Sequence, residues 1–228
     1  MPLYVRTEKE VNAFFKKAIE GILNQTDQNF QVIIVDDNSP LNIYNLALDY
    51  IIKLSDERFK IIRCNKNRGP GYCRNIGIDY AYETSSPIIL YNDSDDVSDS
   101  RRLELVRKIF EDDEVDVVYG SFIPIDENDE EVEYDKLVQS LKSILDGNNN
   151  NPIHGKNVLI KLATEKNYTN LTSSTSVRTT LAHKCKFPTF RVSEDCYTWY
   201  MYASNGGIFY YCKDIPTKYG LRNIYYRI

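Results

Sequence analysis

Three aspartates crowd into four positions, Asp93, Asp95 and Asp96, directly after the apolar run 88–91. If partly enclosed, their shared negative field would be poorly screened and would call for a positive partner. Hard carboxylate oxygens suit Mg2+ or Mn2+, and Mg2+ takes one or two protein carboxylates while phosphates and water complete its shell. A cation bridging to a diphosphate therefore fits the cluster. The plainer reading is that Asp96 and Asp99 cap a helix beginning near Ser100. A second acidic group, Asp36-Asp37-Asn38-Ser39, closes the apolar run 32–35. A third, Glu194-Asp195, offers either a general base or ordinary negative charge at a helix N-terminus. His154 and His183 have no partner at metal spacing, which makes them structural or surface residues. Cysteines 64, 73, 185, 196 and 212 show no C-x-x-C spacing and are odd in number, so reduced, mostly buried thiols are expected. Gly69, Gly71 and Gly77 do not form a G-x-G-x-x-G fingerprint; Gly69-Pro70-Gly71 reads as a tight loop.

Positioning these side chains requires a scaffold. Up to about residue 120, short apolar runs alternate with helical periodicity, as repeated βα units around a largely parallel sheet would. Strands are expected at 3–5, 32–35, 59–62, 88–91 and 115–119. Val11, Phe14, Phe15, Ala18, Ile19 and Ile22 recur at three- and four-residue steps and predict a helix with one apolar face. Further helices are expected at 43–54 and 75–82. Ligands of open α/β sheets bind outside the carboxyl ends of the strands, so Asp36-Asp37 and the cluster 92–96 should face one crevice.

After residue 120 the rhythm changes. Residues 122–125 and 131–133 flank a polar turn and predict a hairpin, followed by a helix over 134–145. The run Asp146 to Pro152, rich in asparagine, predicts a mobile loop. Beyond it are expected a helix near 156–165, a strand near 171–177, a helix near 194–203 and a strand near 207–211. The change of rhythm divides the chain into two halves, 1–120 and 121–228, within one compact domain.

At 228 residues and 42% apolar side chains, the chain can bury a sizeable core without disulfides or metal staples. A net charge of −5 and pI near 5.2 argue against a surface that tracks nucleic acid. No apolar run approaches the ~20 residues needed to cross a bilayer, and no signal-peptide layout opens the chain. The expected location is the cytoplasm, with peripheral membrane association compatible. Lys218, Tyr219, Arg222, Tyr225, Tyr226 and Arg227 could form a local stacking or anion-binding surface, or simply a closing segment packed on the core.

Several segments together carry a family resemblance: Val-Ile-Ile-Val-Asp-Asp-Asn-Ser at 32–39, Asn67-Arg68-Gly69 with Cys73-Arg74-Asn75-Ile76-Gly77-Ile78, Leu90-Tyr91-Asn92-Asp93-Ser94-Asp95-Asp96, and Ser193-Glu194-Asp195 before Trp199. In order and spacing they resemble the inverting family-2 glycosyltransferases, as does the helix ending Gln25-Thr26. The resemblance covers about residues 3–125 well and 170–212 loosely. It implies a GT-A fold, α/β and Rossmann-like with a mostly parallel central sheet, and transfer of a sugar from a nucleoside-diphosphate donor, UDP first, to an acceptor hydroxyl. It implies that Thr7, Asp37 and Arg74 lie at the nucleotide, Asp93 at the ribose, Asp95 or Asp96 at a Mn2+ or Mg2+ ion, and that Glu194-Asp195 carries the base, Asp195. Acceptors in such a family range over glycans, lipid-linked glycans, proteins and, more rarely, modified nucleic acid. Two departures stand out. Val5-Arg6-Thr7-Glu8 replaces Pro-Thr-Tyr-Asn, leaving no aromatic there to stack on the base, and Ser100 replaces a proline.

Rival readings exist. Asp93-Ser94-Asp95-Asp96-Val97 also fits the D-x-D-x-[TV] motif of haloacid-dehalogenase-like phosphohydrolases, but that motif follows a first strand and here three precede it. A nucleotidyltransferase should open with a Gly-rich loop, and residues 6–13 hold no glycine. A non-catalytic carbohydrate-binding protein of the same fold is the third.

Overall fold

The computed structural model describes residues 1–126, 128–164, 170–190 and 192–221. Three strands form the first sheet: β1 (Pro2–Leu3), β2 (Val32–Asp36) and β3 (Phe59–Arg63), all parallel in that order. Helix α1 (8–23, with a π turn at Val11–Phe15) and α2 (Leu41–Leu54) cover it. Val11, Phe15, Ile19, Ile34, Ala47 and Ile51 close the core between them. This is the apolar stripe the three- and four-residue spacing predicts. α2 begins right after Ser39-Pro40, and α3 (Pro70–Glu83) carries proline in its first turn, where no amide hydrogen is missed.

The second sheet is mixed. β4 (Ile88–Leu90) and β5 (Val117–Tyr119) both pair antiparallel with β7 (Thr175–Arg178), and β8 (Phe209–Tyr211) extends the sheet parallel to β5. The expectation of a mostly parallel arrangement holds, with β7 running antiparallel to both of its neighbours in the second sheet. A strand from beyond residue 170 inserts between two from before 120, so this sheet draws on both sides of the 120/121 division. Trp199 anchors the inserted region: its ring is buried, and its indole N–H donates to the Asn170 carbonyl at 3.1 Å.

Three local expectations are adjusted. The hairpin is short: the Ile125–Glu131 bridge is flanked by the Val132 amide donating to Pro124 and the Asp126 amide donating to Glu130, each at 2.9 Å, while β6 (Phe122–Ile125) also pairs in parallel with the remote β9 (Thr217–Gly220). Of the expected helix 134–145, the start is a 3-10 turn, Tyr134–Lys136, and extended Leu137 and Val138 break the chain before α5 (Gln139–Asn150). That helix also runs through most of the expected loop. Its inward stripe Leu141, Ile144 continues to Asn148, which is buried despite its polarity. The remaining helices are α4 (Arg102–Ile109), α6 (Leu159–Thr164), α7 (Thr179–Lys184) and α8 (Glu194–Ser204). Among the described residues no helix is long and apolar enough to cross a membrane. Arg222, Tyr225, Tyr226 and Arg227 of the expected stacking surface lie outside the described residues.

Candidate active site

The carboxyl end of β2 shapes one wall. Asp37 is 4% exposed, and its two carboxylate oxygens accept the Arg68 and Gly69 amide hydrogens, each at 2.7 Å. Gly69 sits at φ +91°, a conformation that a side chain would strain, and so turns the chain into α3. Neighbouring Asp36 points the other way. It is fully buried, accepts from the Ser39 amide and lies 3.7 Å from Arg63; burial raises its carboxyl above the usual range.

From α3, Arg74 reaches across the cleft. One guanidinium nitrogen donates to Asp93 at 2.7 Å and another to Glu194 at 2.8 Å. Burial alone would depress this guanidinium, but the two carboxylates more than offset that and hold its pKa above the ordinary value. A single cation thus ties together the helix after β3, the loop after β4 and the first turn of α8.

The loop after β4 is wound around Asn92. Its amide donates to the Asp93 and Asp96 carbonyls at 2.9 and 3.0 Å, and its oxygen accepts from Ser98 at 2.6 Å. The winding separates the two adjacent aspartates. Asp95 lines the cleft with Asp93 and Ser94. Asp96 turns inward, 1% exposed, and accepts the Gly220 amide at 3.0 Å; burial, with Asp95 and Asp93 close by, holds its carboxyl well above the usual range. Asp96 thus tethers the loop from inside, whereas Asp95, the other residue expected at the metal, lines the cleft. Arg102, buried behind it, is drawn down to about 10 by burial, with Asp96 acting in the opposite direction. Asp99 accepts the Arg101 amide through its carboxylate at 2.9 Å, just ahead of α4, and presents its carbonyl to Gln25, whose side-chain oxygen accepts the Leu103 amide at the start of that helix.

Asp195 lines the same cleft from the first turn of α8, half-buried beside Glu194. Burial raises its pKa, with Glu194 and Asp93 adding to the effect, against the Cys196 amide hydrogen bond and Arg74. The cleft so bounded has a volume near 510 Å3, and Asp37, Arg74, Asp93, Asp95, Glu194 and Asp195 all line it. Thr7 does not. Its hydroxyl accepts the Glu10 amide at 3.2 Å as the exposed N-cap of α1, apart from the other residues expected at the nucleotide. The aromatic that the sequence seemed to lack is Tyr4, which follows β1, is 43% exposed and lines the cleft. Tyr219 and Gly220 of β9 complete the wall. The adjacency of Tyr4 to the first strand was its only signal. Tyr219 belongs to the aromatic and basic tail singled out in the sequence, and β9 brings it to the cleft by pairing with β6 and bridging Val97.

Residues 1–174 match the family model "Glycosyl transferase family 2". The chain belongs to glycosyltransferase family 2. Among curated relatives of this glycosyltransferase is an Escherichia coli protein, UDP-Glc:alpha-D-GlcNAc-diphosphoundecaprenol beta-1,3-glucosyltransferase WfgD. It is 27% identical over 148 residues, covering 61% of this chain and 54% of the relative. Two solved structures share the GT-A fold. TarS 1–349 from S. aureus in complex with UDP-GlcNAc has TM-score 0.67 at 19% identity, over 97% of this chain and 57% of that one. The Pyrobaculum calidifontis mannosyltransferase PcManGT in complex with GDP-Man and Mn2+ has TM-score 0.68 at 14% identity, over 99% and 56%. The glycosyltransferase spans about half or less of the length of the curated relatives it matches.

Proposed function

We propose that this glycosyltransferase moves a sugar, with inversion at the anomeric carbon, from a nucleoside-diphosphate donor to an acceptor hydroxyl, with Asp195 as the general base. The observation that carries the reading is the convergence of Asp37, Arg74, Asp93, Asp95, Glu194 and Asp195 on one cleft although they come from four separate segments.

The donor nucleotide is assigned to the wall of Asp37, Tyr4 and Arg74, with Asp93 at the ribose. Asp37 is fixed by two backbone amides and keeps lone pairs for a base N–H, and the Tyr4 ring offers a stacking face. UDP is the first donor to test, since UDP and GDP conjugates both occur in structures of this fold. Asp95, a hard oxygen donor on the cleft wall with Asp93 two positions away, suits Mn2+ or Mg2+. When bound, the cation supplies Lewis-acid polarisation of the leaving diphosphate.

An acceptor hydroxyl is a poor nucleophile near neutral pH, so a carboxylate must take its proton as attack proceeds. What supports Asp195 is that it lines the cleft and that burial raises its pKa, which brings the base nearer the working pH. Glu194, whose Oε1 accepts from Arg74, is assigned to hold the turn that carries Asp195. A lipid-linked glycan is the acceptor class to test first, by similarity to the WfgD name. The phosphohydrolase reading has no support here, since Asp93 follows the fourth strand and is engaged by Arg74. The decisive experiment compares Asp195→Asn with the wild type in transfer from UDP-sugars and in UDP binding by calorimetry. Transfer should fall while UDP binding persists; joint loss would contradict the assigned role.

A further inference from the structure

Behind the nucleotide wall, Asp37, Cys64 and Cys73 bring one ligand atom each to within 4.8 Å of one another. All three are buried, at 4, 8 and 1% exposure. They come from three elements: Asp37 from the loop after β2, Cys64 from the residue after β3, and Cys73 from the first turn of α3. The Cys64 amide is pinned to the Asp36 carbonyl at 2.8 Å, and the Asp37 carboxylate is oriented by its two amide donors. The Cys73 thiol faces both the Asp37 carboxylate and the Cys64 thiol. Tetrahedral coordination by thiolates at about 2.3 Å separates ligand atoms by about 3.8 Å, so the cluster needs little rearrangement to close on an ion.

We propose that Asp37, Cys64 and Cys73 form a binding site for a thiophilic divalent cation of the Zn2+ or Cd2+ class, separate from the Mn2+ or Mg2+ position at Asp95. Two soft sulfurs and one carboxylate oxygen favour such ions over Mg2+, Mn2+ and Ca2+, which prefer oxygen. The fourth position is left to water or another ligand from the cleft, since Asp37 lines it. Binding converts both thiols to thiolates and releases their protons to solvent, with no change of oxidation state. Burial keeps both thiols protonated in the free protein, the charged groups nearest them being Asp36, Asp37 and Arg68. The consequence for the enzyme rests on the reading of Asp37 as a donor contact: an ion held by this carboxylate takes it away from the nucleotide base, making the site inhibitory.

The test uses the full chain, kept reduced with a phosphine, and Cd2+ as the probe. Thiolate-to-cadmium charge-transfer absorption in the ultraviolet should saturate at one equivalent. Cys64→Ser or Cys73→Ser should weaken binding at least tenfold, whereas Cys196→Ser, on α8, should leave it unchanged. Circular dichroism confirms that each variant is folded, and Cys64→Ala replaces any that is not. Absence of the band in the wild type, its survival in Cys73→Ser, or its loss in Cys196→Ser would overturn the site. In a second arm, one equivalent of Cd2+ should weaken UDP binding at least tenfold. If the band behaves as expected and UDP affinity does not move, the metal site stands and the inhibitory consequence falls. The absorption arm needs no nucleotide, so failure of the donor reading and failure of the metal site give different results.

Discussion

A carboxylate's neighbours decide its use more than its place in a motif does. Asp95 and Asp96 are adjacent in sequence, yet one faces the cleft and the other accepts the Gly220 amide from inside the protein. Asp95→Asn should therefore weaken Mn2+-supported UDP binding by at least the about 10–100-fold that loss of a supporting contact costs a metal site. Asp96→Asn, whose amide oxygen can still accept from Gly220, should stay within about threefold of wild type in the same calorimetric titration. Equal losses would return Asp96 to the metal. Asp195→Asn should lower kcat by about 10²–10⁴-fold, the usual contribution of general base catalysis. Its pH dependence follows from the raised pKa: only the deprotonated form is a base, so activity falls as pH drops through the folded-state value. The acidic limb of the kcat/KM profile should thus lie above the ordinary carboxylate range; a limb at that ordinary range would contradict the assignment.

Elements are held in register by a few contacts that tolerate little change. Arg74 joins α3, the loop after β4 and α8 through two carboxylates, with its own side chain 4% exposed. Truncating it leaves partly buried charges without their cation. Arg74→Leu should destabilise the fold by about 3–5 kcal/mol in urea unfolding. Arg74→Lys should recover less than half of that, because one ammonium cannot reproduce the planar fork that serves two partners. Gly220 on β9 meets the other side of the same loop: an added Cβ would lie 2.5 Å from the Asp95 carbonyl oxygen. Gly220→Ala should cost about 1–3 kcal/mol, as overpacking does, and should weaken Mn2+-supported UDP binding by displacing Asp95. Normal melting and normal binding together would show that the loop yields freely.

At the scale of the whole molecule, the cleft forms where the two sheets and the β6/β9 pair meet, so ligands bound there should stabilise the entire fold. A nucleotide present at 100 times its Kd should add about 2.7 kcal/mol of stability. Thermal shifts with Mn2+ should be larger for UDP and UDP-sugars than for GDP or ADP conjugates; a larger shift with GDP would reassign the donor base.

The βα pattern up to residue 120, the helix faces and the common edge of Asp37, Asp93 and Asp95 are legible from the chain alone, because apolar spacing reports which face is buried and polar residues at strand ends report where a ligand can sit. Arg74 and Asp195, which lie on helices, stand out only through the family resemblance. Three things are not legible. The insertion of β7 between β4 and β5, the pairing of β6 with β9, and the opposite fates of Asp95 and Asp96 all depend on contacts between residues far apart in sequence. Local periodicity carries no record of a distant partner. Thr7 shows the same limit from the other side, since a hydroxyl before an acidic first turn serves a helix cap as readily as a ligand, and only the fold put it outside the cleft while turning Tyr4 into it.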